Sequence, residues 1–162
     1  MRYAFCLGFI AILSACGGGA EQPSDEELIA SVEAVNGTPP PVEEVVPEAI
    51  RYPDIERNDI YGASCSYAPG TSLGARAIAR PKDAFMKIDG EIVRFAADPG
   101  ARALPLGTRS LYTGLTYSLH LAISGDGEAT MSETTLYEGT ITLRDAHGRV
   151  VYTGTGTASC GV

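Results

Sequence analysis

Tyr137-Glu138-Gly139-Thr140-Ile141-Thr142-Leu143-Arg144, then Asp145-Ala146-His147-Gly148, then Arg149-Val150-Val151-Tyr152-Thr153-Gly154-Thr155-Gly156-Thr157-Ala158-Ser159-Cys160: this stretch alternates with a period of two on both sides of a turn. Successive side chains of a strand point to opposite faces, so the period marks two half-buried strands. Tyr137, Gly139, Ile141 and Leu143 share a face with Val150, Tyr152, Gly154, Gly156, Ala158 and Cys160. Thr140, Thr142, Thr153, Thr155, Thr157 and Ser159 share the other. A loop of two or of four residues leaves these faces unchanged, so the parity is fixed before the register is. The threonine face is polar, which argues against a membrane-spanning barrel with an apolar outer band.

A second hairpin reads Phe85-Met86-Lys87-Ile88, Asp89-Gly90, Glu91-Ile92-Val93-Arg94-Phe95. Asp-Gly favours a two-residue type I′ turn, because both central positions need positive φ. That turn pairs Ile88 with Glu91, Met86 with Val93 and Ala84 with Phe95 on an apolar face. Phe85, Lys87, Ile92 and Arg94 form a mixed face. Between the hairpins, Leu115, Tyr117, Leu119, Leu121 and Ile123 alternate with Thr116, Ser118, His120 and Ala122, which predicts another half-buried strand. No helical periodicity competes. The expected fold is all-β, a small antiparallel β-sandwich or barrel over 59–162, about a hundred residues and enough for one core.

Cys65 and Cys160 each lie on the apolar parity of their strands, which predicts a disulfide tying the first strand to the last. Tyr61, Tyr67, Tyr117, Tyr137 and Tyr152 all fall on the inward parity. They are expected to pack in the core, or else to line an aromatic pocket at a barrel mouth.

Charge divides the chain. From Gly17 to Ile50 there are eight acidic residues (Glu21, Asp25, Glu26, Glu27, Glu33, Glu43, Glu44, Glu48) and neither Lys nor Arg. From Arg51 onward there are 11 basic and 12 acidic residues, so the net charge of -8 belongs to the first segment. The folded part therefore offers no electrostatic reason to bind nucleic acid. Residues 16–58, with Gly17-Gly18-Gly19 and Pro39-Pro40-Pro41, read as a disordered acidic tether. Within it Ser24-Asp25-Glu26-Glu27 has capping-box spacing ahead of Leu28, Ile29, Val32 and Val35. That predicts a short helix over 25–35, either transient or a docking element for another envelope protein.

The chain opens with Arg2, an apolar run Tyr3 to Leu13, and Leu13-Ser14-Ala15-Cys16. The run is about half the ~20 residues that a membrane span requires, and its order is that of an export signal. Leu at the third position before Cys16 suits a lipobox better than an ordinary cleavage site. These residues resemble the signal of bacterial lipoproteins. The resemblance implies removal of 1–15, lipidation of Cys16, and a periplasmic domain held at a membrane by acyl chains. With Gly17 where Asp would signal inner-membrane retention, it favours the outer membrane. Two or more acyl chains suffice for stable anchoring, at ~0.8 kcal/mol per buried methylene. Cys6 falls in the discarded run.

Chemistry-bearing patterns are sparse. The two histidines, His120 and His147, have no His-x-His or Cys-x-x-Cys companion. His120 is expected on a polar strand face and His147 in a turn. Gly154-Thr155-Gly156 sits inside a strand and lacks the following helix of a dinucleotide loop. Ser124-Gly125-Asp126-Gly127-Glu128 misses the EF-hand pattern and reads as a polar loop between strands. The leading expectation is a non-enzymatic binding or accessory module on an envelope membrane, with no cofactor. The rival is a periplasmic hydrolase using His120 with a strand carboxylate or hydroxyl. The gross organisation is also similar to membrane-bound lysozyme inhibitors, which are small lipidated β-barrels with a disulfide. Their Ser-Gly-x-x-Tyr motif is not matched, since Ser124-Gly125 is not followed by Tyr at that spacing.

Overall fold

Eight strands close on themselves in chain order: β1 (Ser64–Pro69), β2 (Ala77–Ala79), β3 (Asp83–Ile88), β4 (Glu91–Ala97), β5 (Leu111–Thr113), β6 (Tyr117–Ala129), β7 (Thr135–Asp145) and β8 (Val150–Gly161). Each pairs antiparallel with the next, and β8 pairs with β1, giving an up-and-down barrel. Of sandwich and barrel, the barrel is the outcome. The structure is a computed structural model describing residues 24–37, 39–130 and 133–162. The leader and Cys16 lie outside the described residues.

Two compact units divide the chain near Pro39. The first contains helix α1 (Asp25–Gly37), and the capping box forms as its spacing predicts. The Glu27 amide donates to Ser24 Oγ at 3.2 Å, and the Ser24 amide donates to Glu27 Oε2 at 3.0 Å. Leu28, Ile29, Val32 and Val35 are exposed along it.

The second unit begins at Pro40, not at Asp59 as expected for the β-domain. Residues 40–58 belong to it because their backbone and a few apolar side chains are tied to the barrel. The Val45 amide donates to Val151 O (3.0 Å), Glu48 to Lys87 O (2.9 Å) and Ile50 to Ala75 O (2.8 Å). These acceptors lie at the end of the barrel that carries the β3–β4 and β7–β8 turns. The segment thus crosses that end as a strap, with Val45 buried in the main core. Helix α2 (Tyr52–Arg57) follows, its Asp54 buried and ion-paired with Lys87 at 3.1 Å. Composition concealed this. Acids and prolines dominate the segment, and of its side chains Val45, Pro47, Ile50 and Asp54 are buried.

Register follows the sequence reading closely in the hairpins. Ile88 faces Glu91, Met86 faces Val93, and Ala84 faces Phe95, around an Asp89-Gly90 turn with φ of 49° and 80°. Tyr137 pairs with Ala158, Gly139 with Gly156, Ile141 with Gly154 and Leu143 with Tyr152. Beyond Tyr152 the register shifts, because Arg144 pairs with Val150 and leaves Val151 without a β7 partner. Val151 therefore turns into the core while Val150, expected inward, is exposed. The carbonyl of Val151 is the one that holds the strap.

Three further expectations give way. Tyr61 precedes β1 and is exposed, so strand parity does not apply to it. Leu115 lies in the β5–β6 turn, fully exposed, where the Gly114 amide donates to Tyr117 O. Ser124–Glu128 is not a loop between strands but a bulge within β6, with Gly125 and Gly127 at positive φ.

The core is built from inward residues of every strand, among them Tyr67, Ala79, Met86, Phe95, Tyr112, Leu119, Ile141 and Cys160. An eight-stranded barrel is just wide enough for side chains to fill. The end opposite the strap is covered by the β4–β5 connection. There Leu104 packs on the core, and buried Thr108 donates its hydroxyl to Pro105 O at 2.8 Å. Cys65 and Cys160 form the expected disulfide and face each other directly across the closing β1–β8 seam.

Candidate functional site

The tyrosines are not gathered in one pocket. Tyr67 is wholly buried among core side chains. Tyr117, Tyr137 and Tyr152 are half-buried against that core, and each borders a different surface groove. Tyr61 stands outside the barrel, exposed. Only Tyr67 and Tyr152 bring their hydroxyls together, both over Gly154. Burial raises the Tyr67 pKa well above its ordinary value, with neighbouring Tyr152 adding to the effect. Tyr112, buried on β5, is a core tyrosine the sequence reading missed. Its hydroxyl accepts from the Arg109 amide and donates to Arg80 O.

His120 lies exposed on β6 between Leu111 and Thr142, and its side chain makes no hydrogen bond or ion pair among the described residues. Its direct strand partner Thr142 carries a hydroxyl, but no hydrogen bond joins the two side chains among the described residues. His147 sits in the β7–β8 turn, its amide donating to Asp145 Oδ1. Among the described residues no group of three or more His, Cys, Asp or Glu is placed to hold a metal ion.

The most organised polar chemistry lies on the mixed face of β3 and β4. Alternation sends Asp83, Phe85 and Lys87 outward from β3, while Ala84, Met86 and Ile88 enter the core. The Asp-Gly register sets Arg94 opposite Phe85 and diagonal to Asp83, within reach of a long side chain. Asp83 is buried. It accepts from Arg80 Nε (2.7 Å) and Nη2 (3.0 Å), and from Arg94 Nε (3.1 Å) and Nη2 (2.7 Å). Burial pushes its carboxyl pKa up, but these charge-assisted bonds outweigh burial and hold it below the ordinary value. Both guanidiniums also lie against the Phe85 ring, 4.9 and 5.9 Å from its centre.

The two arginines differ in what remains to them. Arg80 spends Nη1 on the carbonyls of Asp59 and Tyr61, so it pins the entry to β1. Arg94 has a 69% exposed side chain, and its Nη1 makes no hydrogen bond among the described residues. It stands between two grooves. One, about 370 Å³, is lined by Lys82, Asp83, Arg94, Ala96, Thr113, Gly114 and Leu115. The other, about 380 Å³, is bordered by Asn58, Asp59, Arg80, Phe85, Ile92 and Arg94.

No protein-family model, curated protein or solved structure matches this chain. The site thus rests on its own geometry. The signal that could have found it was present in the Asp89-Gly90 hairpin, whose register already places Arg94 beside Phe85. What the alternation did not reveal is that the part of this face around Phe85 is covered, by Ile50 and Ile60 packed with Ile78, while Arg94 stays exposed.

Proposed function

We propose that this chain is a binding module anchored to a bacterial envelope membrane, presenting the Arg94 face of a rigid barrel to its ligand. The observation that carries the binding reading is the exposed Arg94 guanidinium, set in place by a buried carboxylate between two open grooves. Donor groups and apolar walls line these grooves, which is the composition of a recognition surface. With the barrel interior filled by side chains and both ends covered, the outer face is where a ligand meets the protein.

Support for the anchor comes from Leu13-Ser14-Ala15-Cys16 and its resemblance to lipoprotein signals. The Cys65–Cys160 bridge agrees with an oxidising compartment outside the cytoplasm. The test has two arms. Intact-mass measurement of the mature chain is expected to show an acylated Cys16, and Cys16→Ala to leave an unprocessed or soluble product. A bare terminus, or unchanged membrane fractionation of Cys16→Ala, removes the anchor. A photo-reactive residue at position 115 is expected to crosslink at the membrane; absence of any adduct removes this face as the contact surface.

A further inference from the structure

Resting on the reading of the Arg94 groove as a binding surface, we infer that it takes a phosphomonoester group carried on a small apolar body. A planar carboxylate is best held by the two-pronged fork of a guanidinium. In Arg94 two prongs, Nε and Nη2, already engage Asp83. What remains is Arg94 with Nη1 unused, together with Lys82 and Thr113, three residues from different parts of the barrel that line one groove and carry separate donors. Separate donors of this kind suit a tetrahedral anion with three terminal oxygens rather than a flat one with two.

The Asp83 pairing itself points to positioning. An ion pair with an exposed arginine contributes little to stability, and Arg80 alone already engages both Asp83 oxygens. The second pairing nevertheless fixes the Arg94 guanidinium beside Asp83, where both line the groove. Of the charged side chains lining the groove, Asp83 is already paired with two arginines, which leaves Lys82 and Arg94 to meet an anion. Ala96, Gly114 and the fully exposed Leu115 supply an apolar wall for the body of the ligand. The volume, about 370 Å³, is that of a small-molecule site.

The test is a titration of the purified full chain with phenyl phosphate, read by backbone amide shifts. Saturable shifts are expected at Thr113, Gly114 and Leu115. Arg94→Gln and Lys82→Gln are each expected to weaken binding about ten-fold, near 1.4 kcal/mol. Both residues are exposed, and Asp83 keeps Arg80 in the Arg94 variant, so the fold should survive; unchanged spectra elsewhere check this. Arg144→Gln, at the β7–β8 turn, should leave binding unaltered. Vesicles of phosphatidylcholine with and without phosphatidic acid identify the source. Arg94-dependent binding tighter to phosphatidic acid than to phenyl phosphate assigns the group to a lipid, and the reverse assigns it to a soluble ester. Benzoate binding as tightly as phenyl phosphate, equal weakening by Arg144→Gln, or no saturable binding to either phosphate probe overturns the inference. A position-115 crosslink that persists in the last case leaves the binding surface standing with a different ligand.

Discussion

Cys65 and Cys160 are direct partners across the β1–β8 seam, with Cα atoms 4.0 Å apart and 95 residues between them in sequence. The bridge therefore lies where the barrel closes, between its first and last strands. A link over so long a loop removes much of the unfolded chain's freedom, worth up to about 4–5 kcal/mol on the chain-entropy account. Reduction, or Cys65→Ala with Cys160→Ala, is expected to lower unfolding free energy by about 2–4 kcal/mol in urea. The folded, unreduced protein should resist thiol labelling at both positions. Labelling without reduction would show that the seam is unbridged.

The strap offers a sharper test of where the folded unit begins. Val45 is buried while neighbouring Val46 is exposed, on the same backbone and with the same chemistry. Val45→Ala removes two core methyl groups and should cost about 1–2 kcal/mol. Val46→Ala should change stability by under about 0.5 kcal/mol. A chain starting at Asp59 would leave Lys87 without Asp54 and uncover Ile78 and Phe85. Equal effects of the two alanines in chemical denaturation would show that the strap is not part of the folded unit.

These contrasts show what the sequence made legible. Strand parity and the Asp89-Gly90 turn specify the hairpin registers, since a slip of one residue would turn Met86 and Phe95 outward. The disulfide was readable because both cysteines share the apolar parity. The strap was not, because one apolar residue in several among Glu and Pro has no period to detect. Val151 and Leu115 escaped for a related reason: a bulge and a turn break the alternation where each sits. The Arg80–Asp83–Arg94 cluster became visible only once β3 and β4 were laid side by side.

Acid should act through Asp54 and Asp83. The Arg51 amide, then Lys87, holds the Asp54 pKa below its ordinary value. For Asp83, bonds from Arg80 and Arg94 prevail over burial, with the same result. A depressed folded-state pKa contributes stability that is complete above the unfolded value, about 3.9, and is lost as pH falls through the folded one. Unfolding free energy should thus be flat in this respect near neutrality and decline below about pH 4. Asp83→Asn should lower stability by about 2–3 kcal/mol at neutral pH and flatten the acid decline. A decline of unchanged steepness in Asp83→Asn would assign the effect to other carboxylates.

Tyr67 and Tyr152 crowd one site over Gly154. Tyr67 is wholly buried, and among the described residues its hydroxyl makes no full hydrogen bond, with the Tyr152 hydroxyl the polar group beside it. A buried unsatisfied hydroxyl costs about 1–3 kcal/mol in lost hydration. Tyr67→Phe is therefore expected to stabilise the barrel, by about 1 kcal/mol, against the usual rule that core substitutions destabilise. Gly154 explains how the pair fits at all. A Cβ there would lie 2.5 Å from the Tyr152 hydroxyl and 2.8 Å from that of Tyr67. Gly154→Ala should thus cost about 1–3 kcal/mol through overpacking. Tyr152→Phe in the same chain should recover part of that loss by removing the closer oxygen. Thermal and urea unfolding of the four variants read all three signs together. A destabilised Tyr67→Phe would mean that the hydroxyl is satisfied in solution, and an additive Gly154→Ala/Tyr152→Phe pair that the two residues do not share this space.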